Sequence, residues 1–217
     1  VTVMEMKRFP LGPLWTNGYL IWDEGGRALF VDPGGDPREV LSFLSDRGLD
    51  LEIVLLTHSH ADHLFGLEAL RDRARLGVAL HGEDASSLVD PEGNLSRWMG
   101  ADCRCRPAER ILRHGDVLSV GAMTVEVIHT PGHSPGSVCY LLRHGLESLL
   151  LSGDTLFAGS IGRSDLPGGD GARLLRSLER LVGLDDGLAV HPGHGPSTTI
   201  GAERRENPYW PRGGGEP

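Results

Sequence analysis

At 217 residues, with 39% hydrophobic and 24% charged side chains, the chain is long enough to bury a core and is expected to form one domain over residues 1–210. A formal net charge of −9 disfavours a nucleic-acid surface, and no run approaches the roughly 20 apolar residues of a membrane span. Three cysteines give no disulfide framework, and Val1-Thr2-Val3-Met4 alternates into a strand rather than a secretion signal, so the expected compartment is the cytoplasm.

Residues 1–9, 18–23 and 27–32 read as strands, the last two joined by a Glu24-Gly25-Gly26 turn. Asp36-Pro37-Arg38-Glu39 carries a cap, a proline at the first helical position and a glutamate three residues on, which predicts a helix that Gly48 ends. The apolar run Ile53-Val54-Leu55-Leu56 is too short for a helix and reads as a buried strand. Directly after it comes Thr57-His58-Ser59-His60-Ala61-Asp62-His63. His58 and His60, two apart on an extended segment, point the same way and can share one metal, while Asp62 and His63 can reach a second. Packing alone does not call for such a cluster.

A second helix is expected from His63 to Arg75, with Leu64, Leu67 and Leu70 on one face, then a strand near 77–80. Residues 82–108 read as irregular, with one short helix after Gly82. Cys103-Arg104-Cys105 reads as structural, because cysteines at that spacing rarely bridge each other and no second pair exists. Arg97, Arg104, Arg106, Arg110 and Arg113 read as a solvated face rather than an anion site.

Strands follow at 116–120, 123–128, 137–142 and 147–152. Three further candidate ligands sit just beyond strand ends, each after a glycine that lets the backbone turn tightly: His133 in Pro131-Gly132-His133, Asp154 in Ser152-Gly153-Asp154, and His194 in Pro192-Gly193-His194. Together the seven suffice for two metal ions sharing a carboxylate. Asp170 caps a third helix whose apolar positions 174, 175, 178, 181 and 182 form a core-facing stripe. His129 and His191 are expected to support ligands or the core, and His81, His114 and His144 to lie at the surface or in loops. Ser59 and Ser134 are poor candidates for a nucleophile beside so many ligands. The tail 211–217 is expected to be disordered. Hairpins early and late with helices between suit an α/β (α+β) fold, two mixed sheets covered outside by helices.

The pattern His-x-His-x-Asp-His, then Gly-His, Gly-Asp and Gly-His, resembles the metallo-β-lactamase superfamily. That resemblance implies a four-layer αβ/βα sandwich with its site at one edge between the sheets. It implies one metal on His58, His60 and His133, a second on Asp62, His63 and His194, and Asp154 bridging them. Asp62 and Asp154 would then be the catalytic carboxylates, and Asp32 would support the metal loop.

Leu156–Asp170, with Thr16-Asn17-Gly18-Tyr19-Leu20 and Gly201–Tyr209, is similar to the short bacterial glyoxalase II-like, or hydroxyacylglutathione hydrolase-like, subgroup. Arg163 and Asp165 would either pair to fix the loop after Asp154 or shape the substrate mouth. The implied activity is hydrolysis of thioesters such as S-lactoylglutathione by a hydroxide held between two divalent ions. Zinc is the first choice, with iron or manganese compatible. The partner is a small thioester, glutathione-derived in the family, and neither nucleic acid nor membrane. A thioester suits such a site because a thiolate leaves without prior protonation.

Full-length hydroxyacylglutathione hydrolases carry a C-terminal helical domain that contacts glutathione; with residues 195–217 left after His194, that contact is not expected here. The main rival is a one-iron glutathione persulfide dioxygenase, whose family shares the ligands and an element like Gly162-Arg163-Ser164-Asp165. Ser160-Ile161 and Leu166-Pro167-Gly168-Gly169 favour the hydrolase. Lactonase and β-lactamase are lesser alternatives; the β-lactamase branch usually has Cys at the bridging position and is exported. A metal-stabilised binding protein would not require all seven ligands.

Overall fold

The computed structural model describes residues 3–212. The first two residues of the expected N-terminal strand, and residues 213–217 of the expected disordered tail, lie outside the described residues. Among the described residues no helix is long and apolar enough to cross a membrane.

Six strands form the first sheet in sequence order: β1 (Glu5–Leu11), β2 (Thr16–Trp22), β3 (Arg27–Val31), β4 (Asp50–Leu55), β5 (Val78–His81) and β6 (Arg110–Leu112). The next four, β7 (Val117–Val120), β8 (Met123–His129), β9 (Val138–His144) and β10 (Glu147–Gly153), build most of a second sheet. A small hairpin, β11 (Leu156–Phe157) and β12 (Ser160–Ile161), stands apart. β13 (Ala189–Pro192) and β14 (Thr198–Thr199) complete the second sheet, whose order is β14-β13-β10-β9-β8-β7.

Alternation along the strands divides the core into layers. Leu29, Val31, Ile53 and Leu55 of the first sheet face Val125, Val127, Tyr140, Leu142 and Leu151 of the second. Ala28, Phe30 and Val54 point the other way, against α1 (Arg38–Arg47), α2 (Leu67–Arg71) and α3 (Ala85–Val89) through Val40, Leu44, Leu67, Leu70 and Leu88. On the far side Leu141, Leu150 and Val190 pack under α4 (Gly171–Leu178) and α5 (Ile200–Glu206) through Leu178 and Ile200. Strands apolar on both faces are what a sheet covered on both sides requires. The result is the expected four-layer αβ/βα sandwich.

Several boundaries differ from the sequence expectation. The helix expected over 63–75 is broken: a 3-10 turn covers Ala61–His63 and α2 begins at Leu67. Gly66 intervenes, its N–H donating to Pro33 O at 2.7 Å, which fastens the chain to the loop after β3 before the helix starts. α1 starts at Arg38 without the expected capping box; Asp36 Oδ1 instead accepts from the Arg38 N–H at 3.0 Å, an Asx turn leading into the helix. Asp170 does cap α4, accepting from Arg173 N at 2.9 Å. β11, β12, β14 and α5 are too short for periodicity to reveal.

β3 runs parallel to β4, and β10 parallel to β13. Their C-terminal ends therefore open at one edge of the molecule, and there the two sheets are tied across. Tyr140 Oη donates to Leu56 O at 2.6 Å, Tyr19 Oη to Pro192 O at 2.7 Å, and Val138 N to Thr57 O at 2.9 Å. Every candidate ligand is carried by a loop at this edge.

Candidate metal centre

The structure brings the seven sequence-predicted ligands into one cleft. His58, His60 and Asp62 follow β4, His63 ends the 3-10 turn, His133 follows β8, Asp154 follows β10 and His194 follows β13. Three overlapping groups have ligand atoms close enough to hold an ion: His58, His60 and His133; His58, His63 and Asp154; and Asp62, His63 and His194. Backbone shape at two glycines makes this convergence possible. Gly153 sits at φ +49°, where glycine is favoured, and a Cβ there would lie 2.6 Å from Thr57 Cβ. A Cβ on Gly193 would lie 2.2 Å from Asp154 Oδ1 and 2.9 Å from His63 Cε1.

Hydrogen bonds set which ring nitrogen each histidine turns inward. Asp32, at φ +56° beyond β3, accepts from Thr57 N at 2.8 Å and from Thr57 Oγ1 at 2.7 Å. Thr57 Oγ1, its proton so used, accepts from His58 Nδ1 at 3.1 Å, leaving His58 Nε2 bare. Arg163 O accepts from His133 Nδ1 at 2.7 Å, leaving His133 Nε2 bare as well. Those two bare nitrogens face each other at 3.2 Å, and His60 Nδ1 lies 2.9 Å from the same His133 Nε2. Nitrogens each roughly 2.0–2.1 Å from a common ion stand about this far apart. The donor set and spacing fit a divalent cation.

The second half of the cluster fits by charge. Asp32 Oδ2 lies 2.9 Å from His63 Nδ1, so His63 turns Nε2 inward, 3.5 Å from Asp62 Oδ2 and 3.6 Å from Asp154 Oδ1. His63 Nε2 and Asp154 Oδ1 are fully buried with no hydrogen-bond partner, which native proteins seldom leave so. Leu14 O accepts from His194 Nδ1 at 3.2 Å, and His194 Nε2 stands 3.1 Å from Asp62 Oδ2, which also accepts from Thr16 Oγ1 at 3.2 Å. Three buried carboxylates at one point call for positive charge.

Titration reflects the same division. Burial, reinforced by the neighbouring imidazoles, holds His58 well below the ordinary histidine range and His60 down at about 3, so both keep their lone pairs. Burial lowers His63 too, but Asp62, Asp32 and Asp154 outweigh it and push the ring up to about 10. Burial raises Asp62, yet His63 and His194 overcome it and hold the carboxyl below the usual range.

Two further residues tie the ligand loops together, and neither is apparent in the sequence. Asp84, buried after β5, accepts from Ser59 N at 2.9 Å, Ser59 Oγ at 3.2 Å, Ser134 Oγ at 2.8 Å and Gly136 N at 2.6 Å. It thus joins the His58–His60 loop to the His133 loop. Thr57 is the other, as the link between Asp32 and His58. Asp84 lies in a stretch without periodicity, and only its position just past a strand end at the same edge could have marked it.

The remaining predictions sort by place. Arg163 and Asp165 do pair, Nε–Oδ1 and Nη2–Oδ2 both at 2.8 Å, and Arg163 also lines the cleft. His129 is buried and donates from Nε2 to Pro135 O at 2.9 Å, bracing the His133 loop; His191 is half-buried beside Ser197 Oγ at 2.8 Å. His81 and His144, expected at the surface or in loops, are buried at strand ends: His81 stacks on His129 with centroids 3.8 Å apart, and His144 sits between Ala122 O and Glu24. Both close strands on inward-facing positions, which loop context concealed. His114 is exposed, as expected. Arg97, Arg104 and Arg106 are occupied by Glu92, Asp102, Glu68 and Asp72, and none of the arginines of that stretch lines the cleft.

The cleft opens to a cavity of about 430 Å³ walled by Leu14, Phe157, Ile161 and Leu166, with Arg163 among its lining residues. A concave, largely apolar mouth over a few convergent polar groups is the form small-molecule sites take.

Comparison with known proteins identifies the family. Residues 11–194 match the model of the metallo-beta-lactamase superfamily. A probable metallo-hydrolase, YqgX of Bacillus subtilis, is 36% identical over 208 residues, covering 95% of this chain and 97% of its own length. Hydroxyacylglutathione hydrolase GloC of Haemophilus influenzae is 31% identical over 211 residues, 95% and 98% of the two lengths. Among solved structures, BLEG-1 B3 metallo-beta-lactamase superposes with a TM-score of 0.88 at 41% identity, over 94% of this chain and 99% of that one. TTHA1623 in a di-iron-bound form superposes with 0.79 at 37%, over 94% and 99%. ETHE1 from Myxococcus xanthus superposes with 0.78 at 32%, over 94% and 83%. The chain belongs to the metallo-beta-lactamase superfamily.

Proposed function

We propose that this metallo-hydrolase is a dinuclear thioester hydrolase of the glyoxalase II-like subgroup. His58, His60 and His133 would hold one ion, Asp62, His63 and His194 the other, and Asp154 would lie between them. The observation that carries the reading is the pair of orphaned buried atoms, His63 Nε2 and Asp154 Oδ1, beside the facing bare nitrogens of His58 and His133. Two divalent ions bound there would bring the pKa of a bound water down toward about 7 and would supply a Lewis acid for the carbonyl oxygen.

The chain's own groups do the rest. Asp32, through Thr57 Oγ1, and Arg163 O keep His58 and His133 in the tautomers that turn Nε2 inward, and the Asp32 carboxylate faces His63 Nδ1 at 2.9 Å so that its Nε2 points into the cleft. Asp62, ionised and fixed by Thr16, would help hold the second ion and orient a water bound there. Leu14, Phe157, Ile161 and Leu166 exclude water from the acyl and thiol portions, and Arg163 can meet a carboxylate on the thiol side. The likeness to GloC supports a glutathione thioester as the first substrate to try.

A second reading, a one-iron persulfide dioxygenase, is favoured by the Gly162-Arg163-Ser164-Asp165 element, and the likeness to ETHE1 stands beside it. A panel of S-lactoylglutathione, a chromogenic β-lactam and glutathione persulfide, with oxygen uptake followed throughout, tests the choice. Thioester hydrolysis without oxygen uptake is expected. Oxygen consumption on the persulfide with no thioester turnover would replace the first reading by the second.

A further inference from the structure

Cys103 and Cys105 lie between α3 and β6 with their sulfurs 3.8 Å apart, in contact. Cys105 is buried in the core beside Leu88, whereas Cys103 is only half-buried and within reach of small reagents. The contact makes the two thiols unequal. The hydrogen bond between them, with burial added, pushes the Cys105 thiol up, and the same bond holds Cys103 below the usual thiol range. An accessible, more acidic thiol backed by a protected one is the arrangement of an attacking and a resolving cysteine. Cys139 offers no such pairing; it is fully buried and raised by that burial to about 11.

The segment around the pair reaches the ligand loop through one residue. Asn94 is wholly buried; its Nδ2 donates to Cys103 O at 2.8 Å and its Oδ1 accepts from Ser96 N at 3.0 Å. Ser96 Oγ in turn accepts from Cys103 N at 3.0 Å. Asn94 O accepts from Ala61 N at 2.8 Å, and Ala61 stands between His60 and Asp62. Leu95, next to Asn94, is held at φ +65°, where a leucine is strained, so this stretch has little slack.

We propose that Cys103 and Cys105 are a redox-active dithiol that closes to a disulfide by exchange with a small-molecule disulfide, and that closure loosens the loop bearing His60 and Asp62 through Asn94. The Cys103 thiolate attacks one sulfur of R–S–S–R, forming a mixed disulfide and expelling RS⁻, which takes a proton from water. Cys105 then loses its proton to water and attacks the Cys103 sulfur. The bond from Cys103 to the small thiol breaks and a second RS⁻ leaves to be protonated. The protein gives up two electrons and two protons, and R–S–S–R becomes two RSH.

Closing the sulfurs from 3.8 Å to a bond of roughly 2.05 Å puts strain on the short segment 103–105, whose Cys103 carbonyl Asn94 holds. A bridge across so short a span is strained, which makes it readily reduced again. The identity of the oxidant rests on the thioester reading: hydrolysis of a thioester releases RSH, and its oxidised form is the disulfide that would act back on the enzyme. The dithiol itself does not depend on that reading.

The test uses the metal-loaded protein in buffers of oxidised and reduced glutathione, with thiols trapped by alkylation and mapped by mass, and with metal release to excess chelator timed alongside. Loss of two hydrogens confined to 103–105, reversed by dithiothreitol, is expected, with metal release roughly tenfold faster in the oxidised protein. A protein carrying both Cys103→Ser and Cys105→Ser should show neither change. Free alkylation of both cysteines at the most oxidising ratio, or a persistent glutathione adduct on Cys103, would overturn the proposal. So would a bridge that leaves metal release unaltered. Neither readout involves thioester turnover, so a failed hydrolase reading would leave this result standing.

Discussion

Asp32 governs two histidines from one position, reaching His63 directly and His58 through Thr57. Asp154 acts differently, for its oxygens lie within 3.6 Å of ring nitrogens from His63, His133 and His194 at once. Asp154→Ala should remove at least one ion per chain and lower hydrolysis at least about a hundredfold, checked by elemental analysis and steady-state assay. Retained metal and turnover would mean that the carboxylate does not link the two halves. At Asp84 the expected effect spreads to stability. Asp84→Asn replaces acceptor oxygens that meet four donors, and urea unfolding should show a loss of about 1–3 kcal/mol along with weaker metal retention. An unchanged unfolding midpoint would show that the two ligand loops stay together without it.

At the scale of elements, the site depends on where strands stop. Gly193 lets the turn after β13 pass against Asp154 and His63. Gly193→Ala should therefore weaken metal binding and lower kcat by at least about tenfold while the sheets stay folded. Circular dichroism unchanged beside full activity would contradict this. Strands and the positions of the candidate ligands are legible because their signals are local: apolar runs mark β4 and β10, and histidines clustered beyond a strand end have few explanations in packing. Asp84 is not, because a lone aspartate in an aperiodic stretch looks like any loop residue until β5 and β8 are brought together. The break at 63–66 is hidden in the sequence for a related reason, since the spacing of Leu64, Leu67 and Leu70 stays helical across a turn that the Gly66–Pro33 hydrogen bond interrupts. His144 reads as a loop residue because the apolar run stops at Leu142, whereas β9 continues to His144 and its ring meets Glu24 in the β2–β3 turn.

Across the whole molecule the two sheets are joined at both ends, by the ligand loops at one edge and by His144 at the other. His144 Nε2 lies 2.6 Å from Glu24 Oε2 in the β2–β3 turn, and Nδ1 lies 3.2 Å from Ala122 O between β7 and β8. Facing two acceptors, the ring is held above its ordinary 6.5, chiefly by the Glu24 hydrogen bond. Glu24, by its own backbone hydrogen bond and by His144, is held below its ordinary 4.5. A raised histidine gives stability that is complete below 6.5 and fades as pH climbs through its folded value. A lowered carboxyl gives stability complete above 4.5 and fades as pH falls through its own. The pair thus contributes most between about 4.5 and 6.5. Glu24→Gln should cost stability at pH 6, and the difference from wild type should narrow toward pH 9, followed by urea unfolding. A gap that widens with pH would reverse the assignment.

The sandwich exists, on this account, to hold two cations between loops that belong to different sheets. Stepwise addition of zinc to metal-free protein, with S-lactoylglutathione hydrolysis followed under argon, tests this most directly. Activity should rise until two equivalents per chain are bound and then level off. A plateau at one equivalent, or no hydrolysis at any loading, would contradict the account.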